Sequence, residues 1–161
     1  MSEPLVKRTR TNRAKSGDFV RVPINEECWS CGRVVDDGTV AIYDIITMQE
    51  RMVSEIVSSP ILFRVPMMRF AFNGKEWLVV EHLPLEEELQ APAEFLAMRT
   101  WQNNKGKFYA VTMLSSKYMI SYEQTKKLEL LAIYEPVHVQ QRLQLYIEGK
   151  PDPETELTRV K

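Results

Sequence analysis

Residues 17–44 read GDFVRVPINEECWSCGRVVDDGTVAIYD, and the alternation within them decides the fold. Val20, Val22 and Ile24 share one side of an extended run while Phe19 and Arg21 take the other. That period of two marks a half-buried strand. Pro23 has no N–H to give to a ladder and belongs at a strand end or an edge. Asn25-Glu26-Glu27 supplies one turn and Asp36-Asp37-Gly38 a second, with Gly38 free to adopt positive φ. Three antiparallel strands are predicted. In the second, Trp29, Cys31 and Arg33 alternate with Cys28, Ser30 and Gly32, and a large Trp29 near Gly32 suggests close packing across the strand. In the third, Val40 and Ile42 oppose Ala41 and Tyr43.

Downstream the period changes. Met48, Met52, Ile56 and Val57 recur at helical spacing, which predicts a short helix ended by Ser58-Ser59-Pro60. Residues 61–72, ILFRVPMMRFAF, are the most apolar run, with Pro66 arguing for a bulge or an edge. Asn73-Gly74 is a strong hairpin signal and predicts a return into KEWLVVEHLPL, the two strands lying at the centre of the sheet. Glu86-Glu87-Glu88 through Pro92 reads as an acidic connector. Residues 94–101 fit either helix or strand, and extended segments are predicted over 108–113, 115–121 and 128–134. Pro136 suits a first helical turn, after which Val139, Leu143, Tyr146 and Ile147 form one apolar stripe and Gly149 provides a stop.

The expected class is α+β, mainly β: a twisted antiparallel sheet or partly closed barrel built from meanders. A short helix follows the first meander, and a C-terminal helix packs on the sheet. A length of 161 residues suits one domain with a real core, and 44% hydrophobic with 27% charged residues is ordinary for a globular protein. Residues 17–149 form that domain. Residues 1–16 are expected to be a disordered basic arm, and residues 150–161 a polar acidic tail. Lys7, Arg8, Arg10, Arg13 and Lys15 against Glu3 give the arm a net charge of +4, which leaves −5 for the rest of a chain of net charge −1. Two cysteines, no apolar signal core and no apolar run near membrane length lead to the expectation of a cytoplasmic protein without membrane contact.

Cys28-Trp29-Ser30-Cys31 is the one catalytic-looking motif. A redox pair of this spacing needs a helix N-terminus to depress the first thiol's pKa. Here Gly32-Arg33-Val34-Val35 continues as strand, and thiols three apart on a strand face opposite sides of a sheet. A zinc site would need two further ligands, and His82 and His138 lie far apart in sequence. Glu81 and His82 are adjacent on a strand, so they too face opposite ways. No serine sits in a nucleophile elbow and no glycine-rich loop could cradle phosphate. A binding protein is favoured over an enzyme, with no catalytic, metal or cofactor residue assigned.

Gly17-Asp18-Phe19-Val20-Arg21-Val22-Pro23-Ile24, then Gly32-Arg33-Val34-Val35, Tyr43-Asp44 and the strand Ile61-Leu62-Phe63-Arg64-Val65, together resemble the immunity protein 26 family of bacterial immunity proteins encoded beside polymorphic toxins. The resemblance implies an antidote that binds a cognate toxin domain, such as a nuclease, and blocks its active site or substrate entry. An acidic body suits a basic partner surface, and the carboxylates expected to make contact are Asp36, Asp37, Glu81, Glu86, Glu87, Glu88 and Glu94. The rival reading is a small β-barrel module bound to nucleic acid through the basic arm, with Trp29 or Tyr43 as stacking platforms.

Overall fold

The structure, a computed structural model, describes residues 13–97, 107–114 and 116–152. The first meander forms β1 (Asp18–Pro23), β2 (Trp29–Val34) and β3 (Thr39–Tyr43), with Val20 opposite Gly32 and Gly32 opposite Ile42. Both turns form as their residues dictate. The Asn25 carboxamide oxygen accepts from the amides of Glu27 and Cys28 at 2.8 and 2.9 Å, an Asx turn. Gly38 takes φ +83°, where a side chain would be strained. Gly32 answers a different need: a Cβ there would lie 2.8 Å from Val40 and 3.1 Å from Val20. The bare backbone lets the layer on that face close over β2.

Two further strands complete an open five-stranded antiparallel sheet. β4 (Ile61–Pro66) pairs with β3 and β5 (Leu78–His82) with β1, giving the order β4-β3-β2-β1-β5. The segments predicted to make a central hairpin therefore lie at opposite edges. After Pro66 the chain winds Arg69–Phe72 into a single 3-10 turn and reverses at Asn73, whose side chain caps the amides of Lys75 and Glu76. The Asn-Gly turn is real, but Met67, Ala71 and Phe72 beside it belong to the cover of the core and not to a paired strand. The apolarity of that run reflects burial in a cap.

A short helix, α1 (Val53–Ser58), follows the meander as predicted, and a one-turn helix, α2 (Glu87–Gln90), occupies the acidic connector. A second small sheet has the order β6-β7-β8, from β6 (Glu94–Leu96), β7 (Phe108–Thr112) and β8 (Lys117–Ile120). It is followed by α3 (Tyr122–Thr125). The strand predicted over 128–134 makes only single bridges, Leu130 with Leu96 and Tyr134 with Met67. The C-terminal helix α4 (Pro136–Ile147) starts on Pro136.

The five-stranded sheet is covered on both faces. Val20, Val22, Val40, Ile42, Phe63, Val65, Val79 and Trp77 form the larger cluster, closed by Val139 and Leu143 of α4 and by Ala14, Met67, Ala71 and Phe72. Ala14 lies within the span predicted as an arm; it is buried and donates its amide to the Phe72 carbonyl at 2.8 Å. Residues 1–12 and 153–161, the remainder of the predicted arm and most of the predicted tail, lie outside the described residues. The predicted α4 stripe ends early: Val139 and Leu143 are buried, while Tyr146 and Ile147 are exposed. Tyr146 donates its hydroxyl to Asp44 instead. Leu143→Ala is expected to destabilise the fold by about 3 kcal/mol, because a fully buried side chain leaves a cavity under rigid strands. Urea unfolding would check this.

Candidate functional site

The second face of the sheet is where chemistry collects. Phe19, Cys31, Tyr43, Val80 and Ile56 of α1 make a small cluster there. Three arginines stand on the same strands. The pairings run Phe19 to Arg33, Arg33 to Ala41 and Ala41 to Arg64 across β1 to β4, so Arg33 and Arg64 share one row. Arg21 lies two residues along β1 and stacks on Trp29 at 3.6 Å.

Each arginine holds down a piece of irregular chain. Arg33 is fully buried, and every donor of its guanidinium is used. Nε donates to the Gly17 carbonyl at 2.9 Å, and Nη2 to the carbonyls of Leu83 and Pro84 at 2.9 and 2.8 Å. Nη1 donates to the Tyr43 hydroxyl and to both carboxylate oxygens of Glu86, each of these last at 3.1 Å. The guanidinium also lies 4.1 Å over the Phe19 ring. A buried charge is tolerable when paired and saturated in this way. Arg64 donates to Asp37 at 2.8 Å, to Thr39 at 2.7 Å and to the Ala91 carbonyl at 3.2 Å. Asp37 also accepts the Ala93 amide, so the turn between β2 and β3 is tied to the segment entering β6. Arg21 reaches Glu50 at 3.5 Å.

These ties create a cleft of about 350 Å³ between the end of α1 and α2. Its floor is Tyr43, Val57, Pro60, Ile61 and Leu89, and Glu86 and Glu88 stand in its wall. Of the seven carboxylates singled out in the sequence, Glu86 and Glu88 line this cleft. Glu86 belongs to Arg33, and Asp37 is buried under Arg64, so the charges of both are compensated internally. Glu87 and Glu88 are exposed on α2 and hold no ion pair among the described residues; exposed Asp36 follows the same pattern beside Asp37. Glu94 is exposed and accepts the Tyr118 hydroxyl at 2.8 Å. Glu81 stands apart on the edge strand β5, its carboxylate accepting the His82 amide.

Sequence reasoning missed two features. His82 Nδ1 lies 2.8 Å from the carboxylate of Asp18, which is buried and also accepts the Lys15 amide. That pair follows from the Asp18–His82 register once β5 is placed beside β1. Arg33 was legible only as a charge inside an apolar strand, the one signal that could have marked it. The stacking platforms considered for nucleic acid are occupied by the protein itself: Tyr43 is buried against Phe19 and Arg33, and Arg21 covers Trp29.

The two thiols face opposite ways. Cys28 packs beside the larger cluster, and Cys31 is buried in the smaller one. Burial pushes the Cys31 thiol from 9.0 up to about 12, with Arg33 opposing weakly. Alkylation of the folded protein near neutral pH is therefore expected to label Cys28 and spare Cys31 until unfolding, which mass spectrometry would read. Because the folded pKa is the higher one, Cys31 contributes stability below pH 9 that is lost as pH rises towards about 12. Burial likewise raises the Tyr43 hydroxyl, with Arg33 pulling against it.

Among the described residues no cluster of His, Cys, Asp and Glu could hold a metal ion, and no helix is long and apolar enough to cross a membrane. Residues 15–107 match the immunity protein 26 family, more than half of the chain and the whole five-stranded sheet with its arginines. The chain belongs to that family. Comparisons with curated proteins and with solved structures returned no match. Immunity protein families are generally non-enzymatic and act on a cognate toxin. Within this immunity protein 26 chain, β7, β8, α3 and α4 lie beyond the matched residues.

Proposed function

We propose that this protein neutralises a cognate toxin domain by seating a basic projection of it in the cleft between α1 and α2, occluding the toxin's active site or substrate entry. The observation that carries this reading is the division of labour among the carboxylates. Asp37 and Glu86 are spent on internal arginines, while Glu88 remains uncompensated at a cleft with an apolar floor, with exposed Glu87 next to it in α2. Arg64 of β4, through Asp37 and the Ala91 carbonyl, ties the turn that carries Asp36 to the segment leading into Glu94. Apolar contact supplies affinity at such a site, and the free carboxylates supply steering and partner choice. A nuclease, whose active surface is basic to meet phosphate, fits that chemistry.

The test is co-expression with the toxin domain encoded beside this gene, followed by affinity capture and a growth assay. Capture of a stoichiometric complex with restored growth supports the reading. A toxin that kills equally in the presence of this protein removes it.

A further inference from the structure

The three sheet arginines are not equally committed. Arg33 and Arg64 give every guanidinium nitrogen to the protein. The Arg21 side chain makes no hydrogen bond among the described residues. Its guanidinium stacks on Trp29 at 3.6 Å and meets Glu50 only at 3.5 Å, longer than the roughly 2.7–3.2 Å of an N–H···O bond. Arg51 is similar. Its Nε donates to the Thr47 hydroxyl at 3.0 Å, and its Nη1 and Nη2 have no partner among the described residues. Thr47 is itself fixed: it is buried, exchanges both backbone bonds with Trp29 at 2.9 Å, and closes a turn with Gln49 through its hydroxyl. The loop after β3 therefore holds Arg51 beside the strand that carries Trp29.

Arg21 and Arg51 line one pocket, over a floor of buried Cys31, Ile56 and Val80. The enclosed space is about 20 Å³, room for one water-sized group while Glu50 stays in place. Ile56 of α1 lines this pocket and Val57, next to it, lines the acidic cleft. One short helix thus separates a site with two arginines from a site with two glutamates.

Glu50 holds its place weakly. Its side chain is 40% exposed and reaches only Arg21, and an ion pair of that kind contributes little. A carboxylate seated between both forks displaces it at small cost. The apolar floor asks for methylenes behind the charge, which an acidic side chain brings and inorganic phosphate does not. A nucleic-acid strand would meet the net charge of −5 that the chain carries outside residues 1–16.

We propose that an aspartate or glutamate side chain of the toxin domain enters this pocket, displaces Glu50 and takes the free donors of Arg21 and Arg51. The toxin's basic projection occupies the cleft on the other side of α1. This rests on the cleft reading and adds partner choice to it. The toxin must present opposite charges across α1, and a uniformly basic surface is rejected by the two arginines.

Calorimetric titration with the toxin domain encoded beside this gene tests this. Arg51→Gln should weaken binding about tenfold, because a forked, charge-assisted contact is lost. Arg51 is exposed, so its urea midpoint and circular dichroism should stay with the parent's. Glu50→Gln should bind as tightly as the parent or up to about threefold tighter, since the competing carboxylate loses its charge. One Asp→Asn or Glu→Gln change in the toxin should lose its effect in the Arg51→Gln background, the mark of a direct pair. A short single-stranded oligonucleotide should give no heat; binding of it that Arg51→Gln abolishes would overturn the proposal in favour of phosphate. If Glu88→Lys weakens toxin binding while Arg51→Gln leaves it unchanged, the cleft reading stands and this one falls. Loss of affinity in Glu50→Gln also overturns it, because Glu50 would then belong to the acidic rim. A toxin domain that does not bind the parent protein removes both readings.

Discussion

Arg33→Met is expected to lower the stability of the fold by about 3–5 kcal/mol, read as a reduced urea midpoint with little change in slope. The estimate follows from what the guanidinium serves. It is fully buried, and its removal strips partners from the carbonyls of Gly17, Leu83 and Pro84, the Tyr43 hydroxyl and Glu86 together. A methionine fills much of the volume and satisfies none of these groups. Arg33→Lys should fall between, because an ammonium has three donors and no planar fork. Glu86→Gln should cost about 1 kcal/mol or less, since that carboxylate is 37% exposed and can turn to water when its charge is removed. A large effect at Glu86 with a small one at Arg33 would mean that the carboxylate, and not the buried guanidinium, holds these segments together.

Glu88→Lys is expected to weaken toxin binding by about 2 kcal/mol, near thirtyfold in Kd, while leaving the unfolding midpoint within about 0.5 kcal/mol of the parent. The two readouts separate because Glu88 is exposed at the cleft and holds no internal partner among the described residues. Reversing a charge there juxtaposes like charges with a basic partner. Asp37→Asn should do the opposite, costing stability by loosening Arg64 and the Ala93 amide. Calorimetric titration with the toxin domain, beside urea unfolding of each variant, measures both. If Glu88→Lys binds as tightly as the parent, the cleft is not the contact.

Much of the fold was legible because strand periodicity is local. The alternation of Val20, Val22 and Ile24 against Phe19 and Arg21 marked β1, and Pro136 marked the start of α4. What failed was partner choice. Asn73-Gly74 does turn the chain, yet the strands on either side pair with β3 and β1, each of which had a free edge. A local signal cannot report which edges are open. The division into two sheets was hidden for the same reason, since β6 and β8 are only three and four residues long. The carboxylates of the site were legible by type. Which of them stay free was not, because that depends on arginines several strands away. Asp37 and Glu88 look alike in sequence, and only Arg64 across the Asp37 turn sets them apart.

The most direct measurement is hydrogen exchange of this protein alone and in complex with the toxin domain encoded beside it. The proposed site predicts new protection at the amides of residues 57–61 and 86–94, with the β7–β8 hairpin unchanged. Protection confined to α4 or to the β8 edge, with 57–61 and 86–94 exchanging as in the free protein, would contradict it.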